Sequence, residues 1–325
     1  MPCAATHLHL ADRILSHWEG SPERAPFPPG HRELREAFVH GVIAPDMGFV
    51  PGVDRFVSDL AHYSSPADLT RRLVDGARGM RQEAFAWGWA SHVIGDVVLH
   101  PMVGCAVGER LYGDRERRMD AIEDLATHVG MEVGLDLALL RSHSAESVPP
   151  PNPFFLGADV RHLVDALQGT YGLEWSPHRL LQEHRRAVEL TALWPFALRT
   201  LARGGAPEAR PGGRGGRIVA ALTGFVGRLS PGGTPLRGFL RPLDPPGWLV
   251  KTVLRFGDEI LERMDELVQE GPGRLENRNL ETGEVSGPGR GHLPSDWIAA
   301  ELRIRSTGRE SLSLRPGPAP PSPAI

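Results

Sequence analysis

An all-α fold is what this sequence predicts, and three observations carry the prediction. Apolar residues recur at helical spacing between Pro/Gly breaks from residue 6 to residue 201. No block alternates apolar and polar residues as a half-buried strand would, and no internal repeat is visible. The most apolar window, 84–108, carries His92, Asp96 and His100 at intervals of four. A helix gathers that spacing onto one stripe of one face.

The elements follow in order. Residues 6–18 place Leu8, Leu10, Ile14, Leu15 and Trp18 on a short amphipathic helix, and a Pro/Gly loop occupies 20–31. Residues 33–42 read as a helix stopped by Pro45, with Asp46, Met47 and Gly48 in a turn. Residues 54–62 and 66–80 are two further helices. A long helix runs from Gln82 to about Leu99, and another from about Glu116 to Leu140. A loop at 149–155 leads to helices at 159–171 and 177–201, the latter broken or kinked at Trp194-Pro195. From Gly204 the character changes. Residues 204–216 and 230–247 are rich in Gly, Pro and Arg and bracket a short apolar segment, 218–229. Residues 248–270 form an amphipathic helix, and the polar, Gly/Pro-rich stretch beyond is expected to be mostly disordered. The predicted organisation is a helical metal-binding domain over 1–203, loops and helices completing the fold over 204–271, and a tail over 272–325.

Composition narrows the function. Of 325 residues, 41% are hydrophobic, enough for a real core. The formal net charge of −4 gives no overall cationic field to draw nucleic acid or an anionic membrane. No clustered basic and aromatic groove is visible either, so no nucleic-acid partner is expected. Cys3 and Cys105 make no disulfide framework. The first residues lack the basic and apolar regions of a signal peptide, so a cytoplasmic protein is expected. The window 84–108 has membrane-span length, but ionisable groups at its middle would be expensive in a bilayer, so no transmembrane segment is expected.

The chemistry lies in the stripe. Each step of four residues turns a helix about 40° past a full circle and rises about 6 Å. His92, Asp96 and His100 therefore line up inside an apolar helix, where unsatisfied carboxylates and imidazoles are costly. A cation relieves that cost; a metal-free polar network is the plainer alternative. His92 and His100 are about 12 Å apart along the axis, which points to two neighbouring ions. His92 and Asp96 chelate one, and His100 touches another. His128 and Glu132 repeat the i, i+4 pairing downstream and can complete the ion that His100 begins. His7, near the start of the first helix, Asp46, in Ala44-Pro45-Asp46, and His62, at a helix end, complete the candidate set. Such His/Asp/Glu sets fit zinc, and manganese or iron could also be accommodated. Phe49, Tyr63, Trp87 and Trp89 are candidates for an apolar wall beside it, with Trp87 and Trp89 read rather as core aromatics.

Taken in order, His7, Asp46, His62, His92-x3-Asp96, His100 and His128-x3-Glu132 resemble the metal-ligand pattern of the zinc-dependent bacterial phospholipases C. Their superfamily also includes single-strand-specific nucleases. Thr6-His7, Ala44-Pro45-Asp46 and the run from Gly88 through His92, Asp96 and His100-Pro101 look closest to a divergent bacterial branch. The resemblance spans residues 5–145, with 279–283 (Asn-Leu-Glu-Thr-Gly) as a faint C-terminal echo. It implies an all-helical fold with a three-zinc cluster at the bottom of a cleft; for this chain two or three zinc ions are expected. By position, Asp46, His62, His92 and Asp96 would hold the first ion. His100, His128 and Glu132 would hold the second. His7 would hold a third, bridged to the first by Asp96. The pattern departs from the family in two places. No tryptophan precedes His7 to stand for the family's N-terminal Trp ligand, and the step from Asp96 to His100 is shorter than in the secreted enzymes. His9 and Cys3 are the nearby side chains able to complete the third site. The implied activity is hydrolysis of a small phosphoester or a phospholipid, with Asp46 orienting or deprotonating the attacking water. The alternative is a metal-stabilised helical scaffold or binding protein without turnover.

Overall fold

The structure is a computed structural model and describes residues 4–50, 53–121, 123–142, 157–203 and 242–285. The predicted loop at 149–155, the apolar segment 218–229, Cys3 and the tail beyond residue 285 lie outside the described residues. Nine α-helices make up the described chain: α1 (Ala4–Gly20), α2 (Arg32–Ile43), α3 (Phe56–Tyr63), α4 (Pro66–Asp75), α5 (Met80–Tyr112), α6 (Leu125–Ser142), α7 (Gly157–Tyr171), α8 (Pro177–Arg203) and α9 (Gly247–Glu270). Short 3-10 turns lie at Pro22–Arg24, Ala44–Phe49 and Pro272–Arg274. Among the described residues there is no strand, only an isolated bridge between Arg278 and Val285. The fold is all-α.

Helix α5 is the axis of the molecule. It is apolar and long enough to cross a membrane, yet 72% of its most apolar window is buried within the protein. Its closest neighbour is α2, and two glycines set the distance between them. A Cβ on Gly41 would lie 2.0 Å from the Phe85 carbonyl oxygen, and one on Gly88 would lie 2.0 Å from the Phe38 carbonyl oxygen. The backbones therefore touch, and the α2 carbonyls come within reach of α5 side chains. Trp18 packs edge-on against Phe27 and Phe38 beside this pair, and the two phenylalanines are tilted to each other, with ring centroids 5.7–5.9 Å apart. Burying each such side chain contributes about 1.5–3 kcal/mol.

Three helix boundaries differ from the sequence reading by more than one turn. Helix α5 continues past Leu99 to Tyr112, through Pro101. A proline inside a helix removes one hydrogen bond, but Val103, Ala106 and Val107 beyond it are fully buried and hold the helix on course. Helix α4 ends at Asp75, not residue 80, because Gly76 closes it with its N–H on the Arg72 carbonyl. Helix α6 starts at Leu125, not near 116. Asp124 caps it, accepting the Thr127 backbone N–H at 3.0 Å and the Thr127 hydroxyl at 3.0 Å. The helical path of α8 runs on through Trp194-Pro195 to Arg203.

Buried carboxylates tie distant helices together. Asp136 on α6 accepts the backbone N–H groups of Ala5 and Thr6 and the Thr6 hydroxyl, at 3.2, 2.9 and 2.8 Å. It thereby satisfies the free amides at the start of α1 and fixes His7 one residue on. Asp265 on α9 accepts from His17 at 2.9 Å, Trp18 at 3.1 Å and Arg24 at 2.8 Å.

Ordered structure also continues past α9. Asn277 accepts the backbone N–H groups of Ala67 and Asp68 at the start of α4. The Leu280 N–H donates to the His62 carbonyl at 2.9 Å. Asn279 accepts the N–H groups of Glu281 and Thr282 through its side chain. Gly283 has a φ of +68°, and a Cβ there would sit 3.1 Å from the Pro101 ring, so only glycine fits both the backbone and the gap. Residues 277–283 thus form a strap fastened across α3, α4 and α5.

Candidate metal centre

The eight predicted ligands converge on one buried region where α1, α3, α5 and α6 meet the 3-10 turn. Asp46 comes from that turn, which the Gly48 N–H anchors to the Ser58 hydroxyl of α3 at 2.7 Å. His62 sits one turn on, with its Nδ1 2.7 Å from the Ser58 carbonyl. His92 has its Nδ1 2.8 Å from the Val42 carbonyl, the contact that the Gly41–Gly88 approach makes available. A carbonyl accepts only from Nδ1–H, so in both rings Nε2 is the nitrogen that faces inward, and its lone pair is free for a metal once the ring is neutral.

The inward atoms form a compact set. His62 Nε2 lies 3.2 Å from Asp46 Oδ1, 3.2 Å from Asp96 Oδ2 and 3.4 Å from His92 Nε2. His92 Nε2 lies 3.0 Å from Asp96 Oδ2 and 3.7 Å from Asp46 Oδ1. Ligand atoms about 2.0–2.1 Å from a tetrahedral zinc stand about 3.3 Å from one another. The observed separations bracket that value.

Asp96 faces the other way as well. Its Oδ1 is 2.9 Å from His7 Nε2 and 3.4 Å from His100 Nε2. The His7 and His92 rings stack at 4.0 Å. Four imidazoles surround this carboxylate, yet both its oxygens are buried with no hydrogen-bond donor aimed at them. That is costly unless a cation lies between. Farther along, Glu132 Oε1 is 3.5 Å from His100 Nε2 and 3.3 Å from His128 Nε2. Both ring nitrogens of His128 are buried without a hydrogen-bond partner.

Three sets of ligand atoms lie within 4.8 Å of one another and could hold an ion: His7, His92 and Asp96; Asp46, His62 and His92; and His100, His128 and Glu281. Among the described residues His9 joins none of them. Glu281 is the residue that sequence reasoning did not name as a ligand. Its Oε2 is 3.0 Å from His100 Nδ1, and its Oε1 is 3.3 Å from His128 Nε2. Its only signal in the sequence is its place in the faint echo at 279–283.

Electrostatics follow from this crowding. Burial alone would raise the Asp96 carboxyl, but His92, His100 and His7 outweigh it and hold it well below the usual carboxylate range. Asp46 is likewise held low against burial, by His92 and His62. Burial opposes protonation of His62, yet Asp46 and Asp96 push it up to about 10. Burial is overcome in the same way at His100 and His128, both raised by surrounding carboxylates. Glu281 is depressed to about 2 against burial, chiefly by His128 and His100. Without metal, these carboxylates are balanced by protonated imidazoles. A divalent ion would displace those protons.

The side chains of Asp46 and His100 are each 12% exposed, whereas those of His62, His92, Asp96 and His128 are at most 3% exposed. Solvent therefore reaches the cluster at Asp46 and at His100. Phe49 and Tyr63 border it, with ring centroids 5.0 and 6.0 Å from His62. Trp87 and Trp89 do not; they are 4% and 0% exposed and belong to the core. Arg55 lies over the Phe49 ring at 5.6 Å and pairs with Asp59.

The fold and these side chains define a class: an all-helical protein with buried histidine–carboxylate groups able to hold metal. The family model described as zinc dependent phospholipase C matches residues 6–186, more than half of the chain. The chain belongs to this family. No curated protein and no solved structure gives a significant match. The matched segment contains all eight predicted ligands and ends before Glu281.

Proposed function

We propose that this protein is a zinc-dependent phosphodiester hydrolase acting on a small phosphoester or a phospholipid. One observation carries the reading: Asp96, buried and ringed by four imidazoles, has both oxygens without a hydrogen-bond donor. Asp46, His62, His92 and Asp96 would hold one ion, and His100, His128 and Glu132 a second. His7 with Asp96 would hold a third where two do not suffice. Zinc bound there would acidify a water toward neutral pKa and neutralise phosphoryl oxygens.

The chain's own residues do the rest. The backbone carbonyls of Ser58 and Val42 keep the rings of His62 and His92 in one tautomer. Asp46, anionic and partly exposed, accepts a hydrogen bond from the attacking water and orients it. The reading includes no nucleic-acid partner, which the net charge of −4 supports, and a cytoplasmic location.

The test is Asp46→Asn. Hydrolysis of a generic phosphodiester by zinc-loaded protein should fall about 10²–10⁴-fold while zinc stays bound. Unchanged turnover would remove Asp46 from the mechanism. A fully loaded wild-type protein inactive on every phosphoester would favour a metal-stabilised scaffold.

A further inference from the structure

Glu281 stands outside the matched segment, yet it touches both histidines of the second candidate site. Three observations bear on its role. First, His100 turns its two ring nitrogens to different carboxylates: Nδ1 to Glu281 Oε2 at 3.0 Å, and Nε2 toward Glu132 at 3.5 Å and Asp96 at 3.4 Å. A carboxylate accepting Nδ1–H leaves the Nε2 lone pair facing the site, the arrangement that orients histidine ligands of metals.

Second, the other oxygen of Glu281 is 3.3 Å from His128 Nε2, the same separation as Glu132 Oε1. His128 is buried and has no hydrogen-bond partner at either nitrogen. Two carboxylate oxygens flanking an unpartnered imidazole nitrogen at the edge length of a zinc tetrahedron leave a place for a cation. Third, the position of Glu281 is built. The Ala121 N–H donates to its Oε1 at 3.0 Å, the Asn279 side chain holds its backbone N–H, and the neighbouring Leu280 N–H donates to the His62 carbonyl. Glycine at 283 lets the strap lie against Pro101, one residue from His100.

We propose that Glu281 completes the second ion's binding set, one oxygen fixing the His100 tautomer and the other serving as a ligand beside His128 Nε2. The inference rests on the metal-binding part of the function proposed above and is independent of turnover. The second ion is then held by His100, His128, Glu132 and Glu281. The 277–283 strap, which also grips the His62 backbone, becomes part of the metal centre.

The experiment compares full-length wild type, Glu281→Gln and Thr282→Ala. Zinc per chain and zinc affinity are measured by chelator competition, and the visible spectrum is recorded after cobalt(II) replaces zinc. Thr282 lies in the same strap, and its side chain accepts the Glu284 N–H. The expected result is that Glu281→Gln weakens one zinc site by about 10–100-fold and changes the cobalt spectrum, while Thr282→Ala does neither. Equal weakening in both variants would make the effect one of strap folding and overturn the proposal. So would wild-type affinity and spectrum in Glu281→Gln. Where Glu281→Gln does not fold, Glu281→Asp is read instead: it keeps the charge but shortens the reach, so weaker binding supports the proposal and unchanged binding overturns it. A wild-type chain that binds no zinc sinks both this inference and the hydrolase reading. A chain that binds zinc but hydrolyses nothing sinks the hydrolase reading alone.

Discussion

Asp96 and Asp265 are both buried aspartates ringed by nitrogen-bearing side chains, and they are opposite kinds of structure. Asp265 receives hydrogen bonds from His17, Trp18 and Arg24. Its charge is satisfied by the protein, and it ties α1 to α9. Asp96 is approached by His7, His62, His92 and His100 at 2.9–3.4 Å, yet no donor points at its oxygens. At His62 and His92 a neutral ring spends its single N–H on a backbone carbonyl, which leaves Nε2 to face a cation. Distance alone does not separate a structural knot from a cation site; the direction of the hydrogens does.

The largest effect that can break this comparison is expected at Asp96. Asp96→Asn should cost the sites that share this carboxylate and lower phosphodiester hydrolysis by roughly a thousandfold or more, since an ion supplies several kcal/mol of transition-state stabilisation. Zinc content by elemental analysis and initial rates check it. Full zinc retention would mean that Asp96 is a knot like Asp265.

Chelation comes next. At free zinc a hundredfold above Kd, each ion adds about 2.7 kcal/mol of stability, so stripping should lower the melting temperature and zinc should restore it. A melting curve indifferent to chelator and to zinc would sink the cation reading.

Asp265→Asn should destabilise the protein by about 1–3 kcal/mol and leave zinc content unchanged. Denaturant titration and elemental analysis separate the two effects. The smallest effect is the pH dependence of that loss. Burial raises the Asp265 carboxyl, but hydrogen bonds from His17, Arg24 and Trp18 bring it below its ordinary value of 3.8. A depressed carboxylate contributes stability above its unfolded pKa and loses it as pH falls through the folded one. The gap between wild type and Asp265→Asn, measured on metal-free protein, should therefore be full at pH 7 and shrink below about pH 4. A gap that widens in acid would contradict the assignment of the charged form.

Much of the centre was legible in the sequence because helix periodicity does the placing. His92, Asp96 and His100 share a stripe by spacing alone, and His128 with Glu132 repeats the rule. Asp46 and His62 were found by their order along the chain, and the structure brings them within 3.2 Å of each other. Glu281 was not legible as a ligand. It lies 181 residues from His100 in an irregular segment, where no period links sequence to space. Asp136 and Asp265 were missed for the same reason: a buried carboxylate's partner is set by tertiary packing. The end of α5, expected at about Leu99, lies at Tyr112, because the buried face beyond Pro101 decides the outcome.

The strap also orders events in time. A ribosome delivers α1 through α6 first, so seven of the predicted ligand-bearing positions and Glu132 exist while the strap is still unmade. Until residue 281 emerges, His100 lacks the carboxylate that sets its ring and the cluster is open on one side. Maturation of this centre is therefore a late step, completed only when the growing polypeptide folds back across helices made long before it.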